Sequence, residues 1–141
     1  MKVEIYSKET MENALQTGFP ANTAVISFHD TLDDPIEFGA QIPHITICAE
    51  DCYYDDLADY GLEYDTYLPE ANAIAEFIKA AHSAGMDINC QCHYGQSRSA
   101  ACAAAIREYF YGDGITIFAD YRYCPNQMVF NKIYAALKGT P

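Results

Sequence analysis

A chain of 141 residues, half of them hydrophobic and a fifth charged, is long enough to bury a core and suits a single domain over 1–141. Twenty acidic against eight basic residues give a formal net charge of −12, which repels nucleic acid and anionic membrane surfaces and removes both from the expected partners. The opening Met1-Lys2-Val3-Glu4-Ile5-Tyr6 mixes charge with apolar residues instead of forming an export signal, and no apolar run approaches a membrane span, so the expected setting is the cytoplasm with reduced cysteines.

Lys2 to Tyr6 alternates polar and apolar residues, as a strand does, and Ser7 is placed to cap a helix over Lys8 to Thr17 that Gly18 ends. Ala24 to Phe28 reads as a buried strand, and Asp30 to Pro35 as a loop with Asp30, Asp33 and Asp34 in solvent. Pro43 introduces another strand, His44 to Cys48. An acidic, tyrosine-rich connection follows as far as Asp65, and loops of such length without regular structure are often functional. From Pro69 to Ala84, apolar positions including Ile74, Phe77 and Ile78 mark a helix with Pro69 in its first turn. Ile88 to Cys92 reads as a strand that runs through a tight loop into an Ala-rich helix extending to about Phe110. Gly112-Asp113-Gly114 breaks that helix, a segment over Ile115 to Phe118 follows, and Pro125-Asn126 starts a last helix with Val129, Ile133 and Leu137 on one face. Tyr123, Pro125 and Asn126 are expected to pack this helix. Strands alternating with helices predict an α/β fold: a central, mainly parallel sheet flanked by helices, with the ligand at the carboxyl ends of the strands.

The stretch Cys92-His93-Tyr94-Gly95-Gln96-Ser97-Arg98-Ser99 carries the chemistry. A loop of this length between a strand and a helix curls so that the backbone N–H groups of His93, Tyr94, Gly95, Gln96 and Ser97 converge on one anion, and Gly95 supplies the backbone freedom for the curl. Arg98 opens the helix, whose N-terminus favours negative charge, and its guanidinium fork matches two oxygens of a phosphoryl group. Cys92 lies beneath with Ser99 placed to donate to its sulfur, surroundings that favour the thiolate. The chemistry predicted from these residues is attack of the thiolate on phosphorus, a phosphocysteine intermediate, and hydrolysis.

The same residues resemble the phosphate-binding loop of the cysteine-based protein tyrosine and dual-specificity phosphatases, His-Cys-x5-Arg-Ser/Thr, with Gln91 where most members carry His. Likeness to small bacterial phosphatase-like proteins extends to Ala24-Val25-Ile26-Ser27 and to Tyr121-Arg122-Tyr123-Cys124-Pro125-Asn126. The resemblance implies the compact dual-specificity-phosphatase architecture and an enzyme that hydrolyses phosphotyrosine, or phosphoserine and phosphothreonine as well, in a phosphoprotein or small phosphomonoester. Arsenate reductases and sulfur transferases use similar Cys-x5-Arg loops, with Cys48 or Cys124 as the resolving thiol, and a phosphate-binding module without turnover is the third reading.

Expelling a basic oxygen needs a proton donor. Ile45 to Asp51 resembles the strand-then-Asp segment of the bacterial relatives, which makes Asp51 the first choice, ahead of Asp55 and Asp56 and then Asp59. His93 is placed at the pocket rim, Tyr94 is best placed to touch substrate, and Tyr53, Tyr54, Tyr60, Tyr64 and Tyr67 are expected to pack or line the rim. The mechanism needs no cofactor and no metal. Cys48, Cys52, Cys90 and Cys92 have none of the Cys-x2-Cys spacing of a zinc knuckle. Cys48, at the end of a strand read as a neighbour of Cys92, is expected to capture an oxidised Cys92 as a disulfide.

Overall fold

The computed structural model describes residues 1–139; the last two positions of the expected domain, 140 and 141, lie outside the described residues. Four strands, β1 (Val3–Tyr6), β2 (Thr23–His29), β3 (His44–Cys48) and β4 (Asp87–Gln91), pair in the order β1-β4-β2-β3, and every pairing is parallel. Among the described residues five α-helices accompany them: α1 (Lys8–Thr17), α2 (Ala71–Ser83), α3 (Arg98–Tyr111), α4 (Ile115–Phe118) and α5 (Gln127–Lys138). The predicted fold class therefore holds. Among the described residues no helix is long and apolar enough to cross a membrane.

Alternation along the strands splits the sheet into two faces. Ala24, Ile26 and Phe28 of β2 and Ile88 and Cys90 of β4 join one buried cluster with Ile74 and Ile78 of α2, Ile106 of α3 and Ile133 and Leu137 of α5. Val25 and Asn89 face the other way and are equally buried, as is Met11 of α1. At the centre runs α3, in which every residue from Arg98 to Ile106 is buried. Its alanines explain how: with no side chain beyond Cβ, α3 approaches β1, β4 and α5 closely at once.

Caps fix where two helices start. Ser7 Oγ accepts from the Thr10 amide at 3.1 Å, as its position predicts, and Asn126 Oδ1 accepts from the amides of Met128 and Val129 at 3.0 and 3.1 Å. Some boundaries differ from the sequence reading. Leu68 takes a φ of 54° and its carbonyl accepts from Ala71, so Pro69 sits in a turn and α2 begins after it. The connection after β3, expected to lack regular structure, winds into 3-10 helices at Tyr54–Tyr60 and Tyr64–Thr66. Leu57 and Tyr67 anchor it by burial.

The expected neighbourhood of Cys48 and Cys92 is overturned by the strand order. β2 lies between β3 and β4, which separates their ends by two strand spacings, roughly 9–10 Å. That exceeds the roughly 7 Å Cα separation a disulfide spans. Periodicity finds strands but not their order across a sheet.

Candidate active site

Because all four strands are parallel, their following segments emerge at one edge, and the loop 92–97 sits there between the turn after β1 and the connections after β2 and β3. The turn after β1 braces it. Cys92 N donates to Tyr6 O at 3.3 Å and Lys8 N to His93 O at 3.0 Å. Gly95, at φ 69°, packs so tightly on the same turn that a Cβ there would lie 2.7 Å from the Ser7 nitrogen. Glycine is required twice over, by conformation and by space.

Held this way, the loop leaves its donors free. Among the described residues no carbonyl or side-chain oxygen accepts from the backbone N–H groups of His93 to Ser97. A run of N–H groups without partners at a helix N-terminus is an anion nest. Cys92 is 2% exposed, and its Sγ lies 3.0 Å from Ser99 Oγ. Its strand neighbour Cys90 is placed differently: burial, then a hydrogen bond with Cys102, pushes the Cys90 thiol well up, keeping it protonated.

Arg98 is 3% exposed. Its Nη1 donates to Asp30 Oδ1 at 2.7 Å and to the Ala49 carbonyl at 2.8 Å, while its buried Nε meets no acceptor. One corner of the guanidinium is thus fastened to the ends of β2 and β3, and the edge carrying Nε remains for two oxygens of an anion. Asp30 was expected in solvent; burial of Arg98 recruits it, because a guanidinium taken out of water needs a counter-charge. Asp33 is also drawn in, with Oδ2 3.0 Å from His93 Nδ1 and Oδ1 3.6 Å from Lys8 Nζ. Asp34 stays exposed as predicted.

Asp51 follows β3 and reaches the loop. Its Oδ1 accepts from Ser97 Oγ at 2.7 Å and from Asn126 Nδ2 at 3.0 Å. Asp55 and Asp56 belong to the 3-10 helix Tyr54–Tyr60 and make no such bond among the described residues. Tyr67 donates to the Glu50 carbonyl at 2.6 Å, and burial keeps its phenol protonated far above the usual tyrosine range. Asn126 is the residue sequence reasoning placed too modestly. Besides capping α5, it donates to Asp51 and to the Cys52 carbonyl, so one buried amide ties that helix to the segment carrying the carboxylate. The Pro-Asn pair signalled a helix start, but nothing local pointed 75 residues back.

His93 is half-buried and turns toward Asp33, Tyr94 is 74% exposed with its ring edge-on to His93, and Gln96 is exposed. Gln91 points to the opposite sheet face from Cys92, where its Oε1 accepts from Ser27 Oγ. Cys124 N donates to Gln96 O at 2.8 Å, which puts that exposed cysteine beside the loop, whereas Cys48 is remote. Among the described residues no group of three or more His, Cys, Asp and Glu is placed to hold a metal ion.

Neither a family model nor a curated protein matches this sequence. Solved structures do match. DUSP15 aligns with a TM-score of 0.66 at 14% identity, over 97% of this chain and 84% of its own. Human DUSP28 gives 0.59 at 16%, over 97% and 92%. PTPMT1 in complex with PI(5)P gives 0.56 at 11%, over 98% and 91%. Over nearly all of its length the chain has the fold of the dual-specificity phosphatases.

Proposed function

We propose that the protein is a cysteine-dependent phosphatase that hydrolyses phosphotyrosine, and phosphoserine or phosphothreonine as well, through a phosphocysteine intermediate. The observation that carries this reading is the set of donors without acceptors among the described residues, the N–H groups of His93 to Ser97 in the loop that follows Cys92 and the buried Nε of Arg98. A phosphoryl group satisfies them all. Its dianion accepts from the loop amides, and two of its oxygens take the free edge of Arg98.

The Cys92 thiolate attacks phosphorus, forming the P–S bond as the P–O bond to the leaving group breaks. The departing oxygen takes a proton from Asp51, which Ser97 and Asn126 hold through Oδ1, so that Oδ2 is the donor. In the second step the Asp51 carboxylate accepts a proton from water, the water oxygen bonds to phosphorus, and the P–S bond breaks. The thiolate released is stabilised by the Ser99 hydroxyl. No cofactor or metal is needed for either step.

Steady-state hydrolysis of phosphotyrosine and phosphoserine peptides, with Cys92→Ser as the blank, tests the proposal. The wild type should turn over, and Cys92→Ser should lose turnover while still binding vanadate, because the loop amides remain. Substantial turnover by Cys92→Ser would sink the assignment; anion binding with no wild-type turnover would leave a phosphate-binding module instead.

A further inference from the structure

The phosphate nest is set in a negatively charged surround. The connections 30–43 and 49–70 contain 12 of the chain's 20 acidic residues and no lysine or arginine. Asp30, Asp33 and Asp51 stand directly around the loop, through bonds to Arg98, His93 and Ser97, and Glu50, bonded to Thr31, lies next to Asp51 in the chain. The cations at this edge are committed: Arg98 to Asp30, Lys8 to Asp33 and the Asp34 carbonyl, Arg122 to Asp120. Arg98 Nε, buried and without an acceptor, calls for an anion in the middle of this field. A ligand that suits both is a phosphate carried among positive charges.

A place for one such charge lies beside Asp51. A cavity of about 610 Å³ is lined by Tyr53, Tyr54, Asp55 and Tyr64 on one side and by Cys124 and Asn126 on the other. It shares a wall with the phosphate site, since Asn126 donates to Asp51 and Cys124 to the Gln96 carbonyl. Three tyrosine rings with one carboxylate make a cation-binding lining. Lys132 of α5 already lies over the Tyr64 ring, its Nζ 4.1 Å from the centroid, whereas Tyr53 and Tyr54 are 67% and 65% exposed with no lysine or arginine over either ring among the described residues.

Building on the phosphatase reading above, we infer that this cavity is a subsite for a lysine or arginine side chain flanking the phosphorylated residue, so that the preferred substrate is a phosphopeptide of basic sequence. The surrounding carboxylates steer such a peptide to the nest and repel ligands that carry several phosphates, inositol phosphates among them.

Binding to the Cys92→Ser protein tests this separately from turnover. Two fluorescent phosphotyrosine peptides are compared, identical except that the flanking residues are Arg and Lys in one and Glu in the other, with soluble inositol bisphosphate as a competitor. The basic peptide should bind at least about tenfold more tightly, with the ratio shrinking as salt is raised. Asp55→Lys, and independently Tyr54→Ala, should reduce that ratio severalfold. Equal affinities, preference for the acidic peptide, no binding of either, or stronger binding of the inositol phosphate overturns the inference. An inactive wild type whose Cys92→Ser variant still prefers the basic peptide would fail the phosphatase reading alone.

Discussion

Arg98 illustrates how much a buried charge depends on what fastens it. A guanidinium at 3% exposure keeps one orientation only if its protein-facing corner is bonded, and Asp30 with the Ala49 carbonyl does this through a single nitrogen. We predict that Asp30→Ala lowers kcat/KM for an aryl phosphate by roughly 10- to 100-fold, the equivalent of one hydrogen bond to a charged group. Asp30→Asn, which keeps an acceptor oxygen, should recover part of the loss; equal kinetics for wild type and Asp30→Ala would remove Asp30 from the site. Arg98→Lys should fail whatever stands at 30, because a point charge cannot copy the bidentate fork.

Between elements, Asn126 couples α5 to the segment after β3. Its two roles separate by substitution. Asn126→Ser keeps an oxygen that caps the helix but is too short to donate to Asp51 or the Cys52 carbonyl, so its stability loss reports the tie alone, whereas Asn126→Ala loses the cap as well and should cost about 0.5–2 kcal/mol more. Both should impair turnover in the pattern of Asp51→Asn: a general acid contributes typically 10²–10⁴-fold, and only when the departing oxygen needs a proton. Phenyl phosphate should therefore suffer far more than an aryl phosphate whose phenol has a low pKa. A loss shared equally by both substrates would assign Asp51 to binding and Asn126 to folding.

Across the whole molecule, the connections after β2 and β3 are held together by a carboxylate that feels its charge. Glu50 accepts from the Thr31 amide and hydroxyl, and these bonds, with Arg98 adding a smaller pull, hold the Glu50 carboxyl below its ordinary value of 4.5. A depressed folded pKa contributes stability that is fully present above the unfolded value and is lost as pH falls through the folded one. The denaturation midpoint of wild type should thus exceed that of Glu50→Gln at neutral pH, with the gap closing below about pH 4.5. A gap independent of pH would mean that the glutamine simply fits badly.

What the sequence determined by itself was local. Spacing from Cys92 to Arg98 and Ser99, the glycine at 95, the alternation of strand and helix and the Ser7 cap are each set by neighbours in the chain, and backbone sterics and hydrogen-bond geometry make such patterns readable. Asp51 was found through resemblance, one residue type among several in an acidic stretch. The tertiary structure decided everything that joins distant segments: β2 between β3 and β4, which parts Cys48 from Cys92; Asp30 beneath Arg98; Asn126 against Asp51; Gln91 turned to Ser27 on the far face. These bonds arise because folding removes water from polar groups and each must then find a partner wherever the packed elements bring one. That search runs in three dimensions, over separations of 64 to 75 residues, and leaves no period in the sequence.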